Sequence, residues 1–336
     1  MLADLKVASL EPTKPEHLKI RRVRRGAGFA YVRANGRNIR ERKTIRRLER
    51  LAVPPAYNEA RFAINPRAHV QAVGRDAAGR LQYRYHPEWE RIRELRKARR
   101  LAKLIDSMPS IMRRITKLLK QTATNRDFVA AALVDLIACT AIRPGSEAYL
   151  RERGTRGAAT LLKKHVQTKG DNIVLRFHGK GGNQVEKAFR SHRLANAIRR
   201  LQTIPGNRLF QYIADDGAIR KLRRRDANSF LCGVSENQVS LKDFRTLSAC
   251  SQALEHLARL EPRPSERGKR RQIKSALRAV ANELANTPAV CKRSYVHSVV
   301  IEAFEAGRLK RMASNGRPRG HALLRKILRT ASAVPV

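Results

Sequence analysis

The chain is predicted to be an α+β protein with two unequal domains. Residues 1–90 form a small antiparallel-strand-rich N-terminal domain, and residues 91–336 a larger, mainly α domain that carries a β-hairpin. Three observations predict this. Apolar spacing changes from short alternating runs to a helical period at about Pro87. The helical region is broken where Ile173, Leu175 and Phe177 alternate. A length of 336 residues exceeds what one small core requires.

The elements follow in order. Phe29-Ala-Tyr31 alternates and runs into Asn35-Gly36, a hairpin-turn signal. Thr44 is placed to cap a short helix bearing Ile45, Leu48 and Leu51, which stops before Pro54-Pro55. Strands are expected at Arg61–Ile64, His69–Val73 and Leu81–Tyr85, separated by turn residues. A basic helix over Arg91–Ile105 then leads into the second domain. Ile111, Ile115, Leu118 and Leu119 form one helical stripe, and Val129, Leu133, Leu136 and Ile137 another that ends at Pro144-Gly145. In the hairpin, Gly179-Lys180-Gly181-Gly182 turns the chain and Val185–Phe189 returns, which sets Lys180 at the tip. Helices follow around Leu194–Leu201, Asp226–Cys232, Lys242–Leu257 and Ile273–Leu284. Glu261–Arg271 reads as a mobile linker, and the basic segment after Tyr295 as helical until Gly316.

Composition narrows the function classes. Lys and Arg number 72 against 28 Asp and Glu, a formal charge of +44, while 42% hydrophobic residues mark a folded chain and not a basic tail. Such a surface calls for a polyanion, since its self-repulsion opposes compaction. Nucleic acid, held by phosphate contacts and counterion release, is the partner that fits. A membrane surface fits less well, because the charge is spread over the chain, no apolar run approaches ~20 residues, and Met1–Lys6 lacks a hydrophobic signal core. Cys139, Cys232, Cys250 and Cys291 lie far apart in apolar surroundings, without zinc spacing, as expected of core thiols in a cytoplasmic chain. No phosphate-binding Gly-rich loop ending in Lys-Ser/Thr is present. Asp215-Asp216 before Gly217 reads as a turn, and no carboxylate cluster suggests two-metal chemistry. No cofactor, nucleotide or metal is therefore expected.

A second pattern runs through the larger domain. In chain order it holds Arg143 in Ile-Arg-Pro, Lys180 at the hairpin tip, Arg245 in Lys-Asp-Phe-Arg-Thr, then Asn286 and Tyr295. A phenol nucleophile, guanidinium groups and an amide to balance charge on non-bridging oxygens, and a lysine to protonate the departing oxygen suit a metal-free attack on a phosphodiester. Each residue also has an ordinary reading. Tyr295 alone reads as a half-buried tyrosine, Asn286 as a helix C-cap, Arg143 as a solvated helix-end charge, Arg245 as a helix arginine paired with an acid, and Lys180 as a solubilising tip residue. Charge and spacing alone carry the reading only as far as DNA binding, with phosphoryl transfer one chemistry that this set would allow.

Together with Arg21-Arg22-Val-Arg-Arg-Gly26, Leu51-Ala-Val-Pro-Pro55, Gly74-Arg75-Asp76, Gln82-Tyr-Arg-Tyr-His-Pro87 and Lys292-Arg-Ser-Tyr-Val-His297, this set makes the chain resemble the bacterial type IB DNA topoisomerases, a class shared with the poxvirus enzymes. The likeness runs from Ile20 to Tyr295. It implies the tyrosine recombinase/type IB topoisomerase catalytic fold. It also implies relaxation of supercoiled double-stranded DNA through a 3′-phosphotyrosyl intermediate, without ATP or metal, by a monomer acting as a clamp and associated with the nucleoid. By the same resemblance Tyr295 is the nucleophile, Lys180 the general acid, and Arg143, Arg245 and Asn286 stabilise the transition state. The family holds His or Asn at the position of Asn286. Lys187 and Lys169 are rivals for the role of Lys180. Tyr83, Tyr85, Tyr149 and Arg75 match residues along the DNA backbone, with core packing a rival for one of the strand tyrosines.

Two other functions compete. A tyrosine recombinase uses similar chemistry but usually has His three residues before its second arginine, where this chain has Lys242. A non-catalytic architectural DNA-binding protein would owe its charge to compaction of DNA.

Overall fold

The computed structural model describes residues 9–313 and 320–332. The chain divides into two compact units, Met1–Arg96 and Lys97–Val336.

The first unit is built on a five-stranded antiparallel sheet in the order β2-β1-β3-β4-β5, with β1 Ile20–Arg25, β2 Gly28–Val32, β3 Asn58–Phe62, β4 Val70–Arg75 and β5 Leu81–Tyr85. Ala72 and Val73, neighbours on β4, enter two different apolar clusters, as alternation across a strand dictates. One gathers Ile20, Tyr31, Leu48 and Phe62, with the Tyr31 and Phe62 rings edge-on at 5.3 Å. The other gathers Leu18, Ala63, Val70 and Val73, with Leu81 and Tyr85 against it.

Strand β1 was not foreseen, because five of its positions carry Arg or an exposed Val23 and only Ile20 is buried. The hairpin partner of β2 is β1, through Gly26 at φ +56°. Asn35-Gly36 does form a turn, but it closes a single bridge between Val32 and Asn38. Helix α1, Arg42–Arg50, starts before Thr44. Glu41 stands at its N-cap, and the Thr44 hydroxyl donates to the Glu41 carboxylate at 2.7 Å, so Thr44 is not the cap.

Helix α2, Pro87–Leu119, is continuous, where the sequence suggested separate helices. It runs through Pro109, which removes one backbone hydrogen bond. Buried Leu101, Leu104, Ile111 and Ile115 anchor it on both sides of that residue.

The second unit packs one large core around α3, Arg126–Thr140, which is almost wholly buried. Its Asp135, fully buried, is neutralised by both ends of the Arg193 guanidinium at 2.9 and 2.7 Å. Helix α3 ends earlier than expected, where Ala141 turns left-handed at φ 51°. Helix α4, Glu147–Arg153, is capped by Ser146. A three-stranded antiparallel sheet follows, β6 Val166–Lys169, β7 Asn172–His178 and β8 Gln184–Arg190. It contains the expected hairpin and one unforeseen strand, β6.

After α5, His192–Thr203, comes a short hairpin, β9 Gln211–Ile213 and β10 Ile219–Lys221, whose turn holds Asp215-Asp216-Gly217. The remaining helices are α6 Arg224–Ser235, α7 Leu241–Ala258, α8 Glu266–Glu283, α9 Pro288–Ser294, α10 Ser298–Glu305, α11 Arg308–Ala313 and α12 Gly320–Ser332.

Two expectations need correction here. Ser265 accepts from the Gly268 N–H at 3.1 Å and starts α8, so the second half of the expected linker is helical. Cys139 is exposed, whereas Cys250 and Cys291 are core residues and Cys232 lies between. Gly316 and the residues Met1–Lys6 lie outside the described residues. No helix among the described residues is long and apolar enough to cross a membrane.

Candidate active site

Helix ends assemble the site, because a helix end presents carbonyls without partners and lets the next residue leave helical geometry. Ala141, at φ 51°, closes α3 two residues before Arg143. Ala285, at φ 46°, turns the chain after α8 just before Asn286. Left-handed geometry costs an L-residue about 1–2 kcal/mol, so both turns are held by what surrounds them. Arg245 does part of the holding. It is 3% exposed, and its Nη1 donates to Ala141 O at 2.6 Å and its Nη2 to Leu284 O.

The pairing of Arg245 with an acid on its own helix is not found. Asp243 instead accepts from the Ser240 N–H at 2.8 Å at the start of α7 and pairs with Arg100 at 2.7 Å.

The Arg143 loop is fixed from the other side. Ala158 and Ala159 N–H groups donate to Arg143 O and Pro144 O at 2.8 and 2.9 Å. Gly157 lies so close that a Cβ there would stand 2.5 Å from Gly145 N and collide with the Arg143 carbonyl.

Asn286 does not act as the C-cap; its backbone N–H reaches back to Ala281 O at 2.9 Å, and Ala285 is the residue with positive φ. Its side chain faces Arg143, whose Nη2 donates to Oδ1 at 2.6 Å. That bond leaves the amide Nδ2 as a donor, and Nδ2 is buried without a partner. Arg245 Nε is in the same state. Two buried unpaired donors cost on the order of 1–3 kcal/mol each, a penalty that a bound anion would remove.

Tyr295 ends α9, and the Arg245 guanidinium lies 5.0 Å from the centre of its ring. Burial pushes the phenol up. The positive charges of Arg245, Arg143 and Lys242 together outweigh burial, and the phenol stands below the ordinary tyrosine value. Burial and the repulsion of Arg143 lower Arg245 in turn.

Lys180 is exposed on the turn between β7 and β8 and, among the described residues, makes no hydrogen bond or ion pair. It lines one cleft with Arg143, Arg156, Lys187 and Arg245. Of its rivals, Lys187 is tied to the carboxylate of Glu283 and to its backbone carbonyl at 2.5 Å. Lys169 pairs with Asn172 at the far end of β7, six residues from His178 and so roughly 20 Å from the tip.

Three of the expected backbone-contact residues belong to the first unit. Tyr83 and Tyr85 share a strand face and stack, with ring centres 5.7 Å apart and planes at 9°. Core packing claims Tyr85, which lies against Trp89 and beneath Arg93, while Tyr83 is exposed. Arg75 is engaged locally by Glu59 at 3.1 Å and Gly79 O at 2.9 Å. Tyr149, in the second unit, is 49% exposed on α4, beside Arg153.

Arg156 and Gly157 were missed. Their only local signal is the pair of glycines Gly154 and Gly157 in a loop, which says nothing about what the loop packs against. Among the described residues no group of three or more His, Cys, Asp or Glu side chains is arranged to hold a metal ion.

Comparison with known proteins gives a consistent set of relatives. Residues 88–315 match the family described as eukaryotic DNA topoisomerase I, catalytic core. Residues 28–76 match that described as bacterial DNA topoisomerase IB, N-terminal domain. DNA topoisomerase 1B of Acanthamoeba polyphaga mimivirus is 30% identical over 293 residues, covering 85% of this chain and 87% of the relative. DNA topoisomerase 1B of Vaccinia virus (strain Copenhagen) is 26% identical over 239 residues, or 68% of this chain and 71% of its own. DNA topoisomerase 1 of Rabbit fibroma virus is 24% identical over 247 residues, or 68% and 70%.

Proposed function

The chain belongs to the type IB DNA topoisomerases, and we propose that Tyr295 is the nucleophile with which it cuts one strand of duplex DNA. Its activity is that of the family, a DNA topoisomerase of type IB.

The observation that carries the assignment is the pair of buried unpartnered donors, Arg245 Nε and Asn286 Nδ2, in the network that also holds Arg143 and Tyr295. A phosphodiester supplies the acceptors and the negative charge that this network lacks. The Tyr295 oxygen attacks phosphorus, its proton passes to water, and the bond from phosphorus to the 5′ oxygen breaks. Lys180, with no competing partner among the described residues, protonates that oxygen as it leaves. Arg143, Arg245 and Asn286 carry the charge that builds on the non-bridging oxygens. The product is a 3′-phosphotyrosyl link and a free 5′-hydroxyl strand, which swivels and then reverses the step. The covalent link conserves the bond energy, so the proposal includes no ATP and no metal. It also includes a monomer, associated with the nucleoid, in which both units hold the duplex, with Tyr83, Tyr85, Arg75 and Tyr149 along its backbone.

The test is a DNA duplex that loses a short 5′-hydroxyl fragment on cleavage and so traps the covalent adduct. A protein–DNA adduct that maps to the peptide containing Tyr295 is expected. An adduct on another residue, or on the 5′ side of the break, would overturn the assignment.

A further inference from the structure

We propose that Cys250 is a positioning residue for Tyr295, its buried thiol holding the backbone from which the phenol projects. The inference rests on the reading of Tyr295 as nucleophile.

Tyr295 sits at a break between α9 and α10, at φ −122° and ψ −50°. The N–H groups of Tyr295 and Val296 both turn back to Cys291 O, at 3.0 and 2.8 Å. Two further backbone groups of the break, the Tyr295 carbonyl and the His297 N–H, meet α7, while Val296 O accepts from Lys97 of α2 at 3.5 Å. Cys250 Sγ donates to Tyr295 O at 3.3 Å and accepts from the His297 N–H at 3.3 Å. The thiol is fully buried, so water cannot replace it there.

Cys250 lies five residues beyond Arg245 on the same helix, and the Arg245 guanidinium lies 5.0 Å from the centre of the Tyr295 ring. One rigid helix therefore fixes the nucleophile twice, at its ring and at its backbone. Both contacts matter because the phenol oxygen is at the end of a long side chain, so a small change in the peptide becomes a large displacement at the oxygen. A misplacement of ~1 Å costs about a hundredfold in rate.

Three variants separate positioning from packing. Cys250→Ser keeps a donor and an acceptor on one atom, Cys250→Ala removes both bonds, and Cys250→Val removes both while filling the space. Single-turnover cleavage, DNA affinity and thermal unfolding are measured for each. About tenfold or slower cleavage is expected for the Ala and Val variants, with affinity within about twofold of the parent and the Ser variant within about threefold in rate. Any other order overturns the proposal: a Ser variant as slow as the Ala variant, a Val variant as fast as the parent, or all three unchanged. Tyr295→Phe is run beside them; if it still cleaves, it is the nucleophile assignment that has failed.

Discussion

Replacing Arg245 by lysine keeps the charge and removes the fork, and the structure sets what that should cost. The guanidinium serves two carbonyls on different helix ends, Ala141 O and Leu284 O, and also lies over the Tyr295 ring. A single ammonium cannot reproduce that geometry, so one buried carbonyl loses its donor, at about 1–3 kcal/mol. Loss of the guanidinium from the ring face adds about 1 kcal/mol. Arg245→Lys is thus expected to lose about 2–4 kcal/mol of stability, read as a lower thermal midpoint. It also removes the buried, unpartnered Nε donor that the proposed function assigns to the phosphate, and loss of one such donor typically slows chemistry 10²–10³-fold. The assay is single-turnover cleavage at a temperature where the variant is folded, with affinity measured across a salt series. Because the charge is retained, the salt dependence of binding should be unchanged. Cleavage within about threefold of the parent would refute the reasoning, since a point charge would then suffice.

Other perturbations should separate the remaining roles. Because the Tyr295 phenol lies below its ordinary value of about 10, cleavage should rise with pH and level off before pH 10. The same depression contributes stability that is fully present above pH 10 and is lost as pH falls through the folded value. Arg143→Ala should move the cleavage midpoint upward, and an unmoved midpoint would show that this arginine does not act on the phenol. With Asn286 in the site, no step is expected from that position near pH 6.5, the histidine range; a step that disappears in Asn286→Ala would contradict this. Lys180→Ala should slow cleavage about 10²–10⁴-fold while leaving affinity nearly intact, and a loss of binding as large as the loss of rate would argue against proton donation. Gly157→Ala forces a Cβ to within 2.5 Å of Gly145 N, so it should lower stability by about 1–3 kcal/mol and displace Arg143. An unchanged thermal midpoint and cleavage rate would show that the two loops do not depend on each other.

Much of this was legible in the sequence for physical reasons. The β7–β8 hairpin alternates over a buried face and is turned by glycines, so local pattern and tertiary structure agree. Helix α3 is apolar from Phe128 to Ile137 except for Asp135, because it is the centre of the core. The strands that escaped notice lack that agreement: β1 is mostly arginine, β6 has only four residues, and β9 and β10 have only three each. At the site, the residue types announced themselves, but their supports did not. Nothing local to Arg245 says that its head meets carbonyls 104 and 39 residues away in sequence. Asn286 looks like a helix cap until the Arg143 contact, 143 residues distant, shows what its side chain faces. Cys250 reads as one more apolar helix position, because a thiol bonded to two distant backbone groups leaves no periodicity.

Relaxation of DNA through Tyr295, without metal or ATP, is what the proposed function requires of this chain. The most direct test incubates supercoiled plasmid with the protein in EDTA and without ATP, comparing the parent with Tyr295→Phe. Relaxation by the parent alone is the predicted result. Equal relaxation by both proteins, or binding by both with relaxation by neither, would contradict the account.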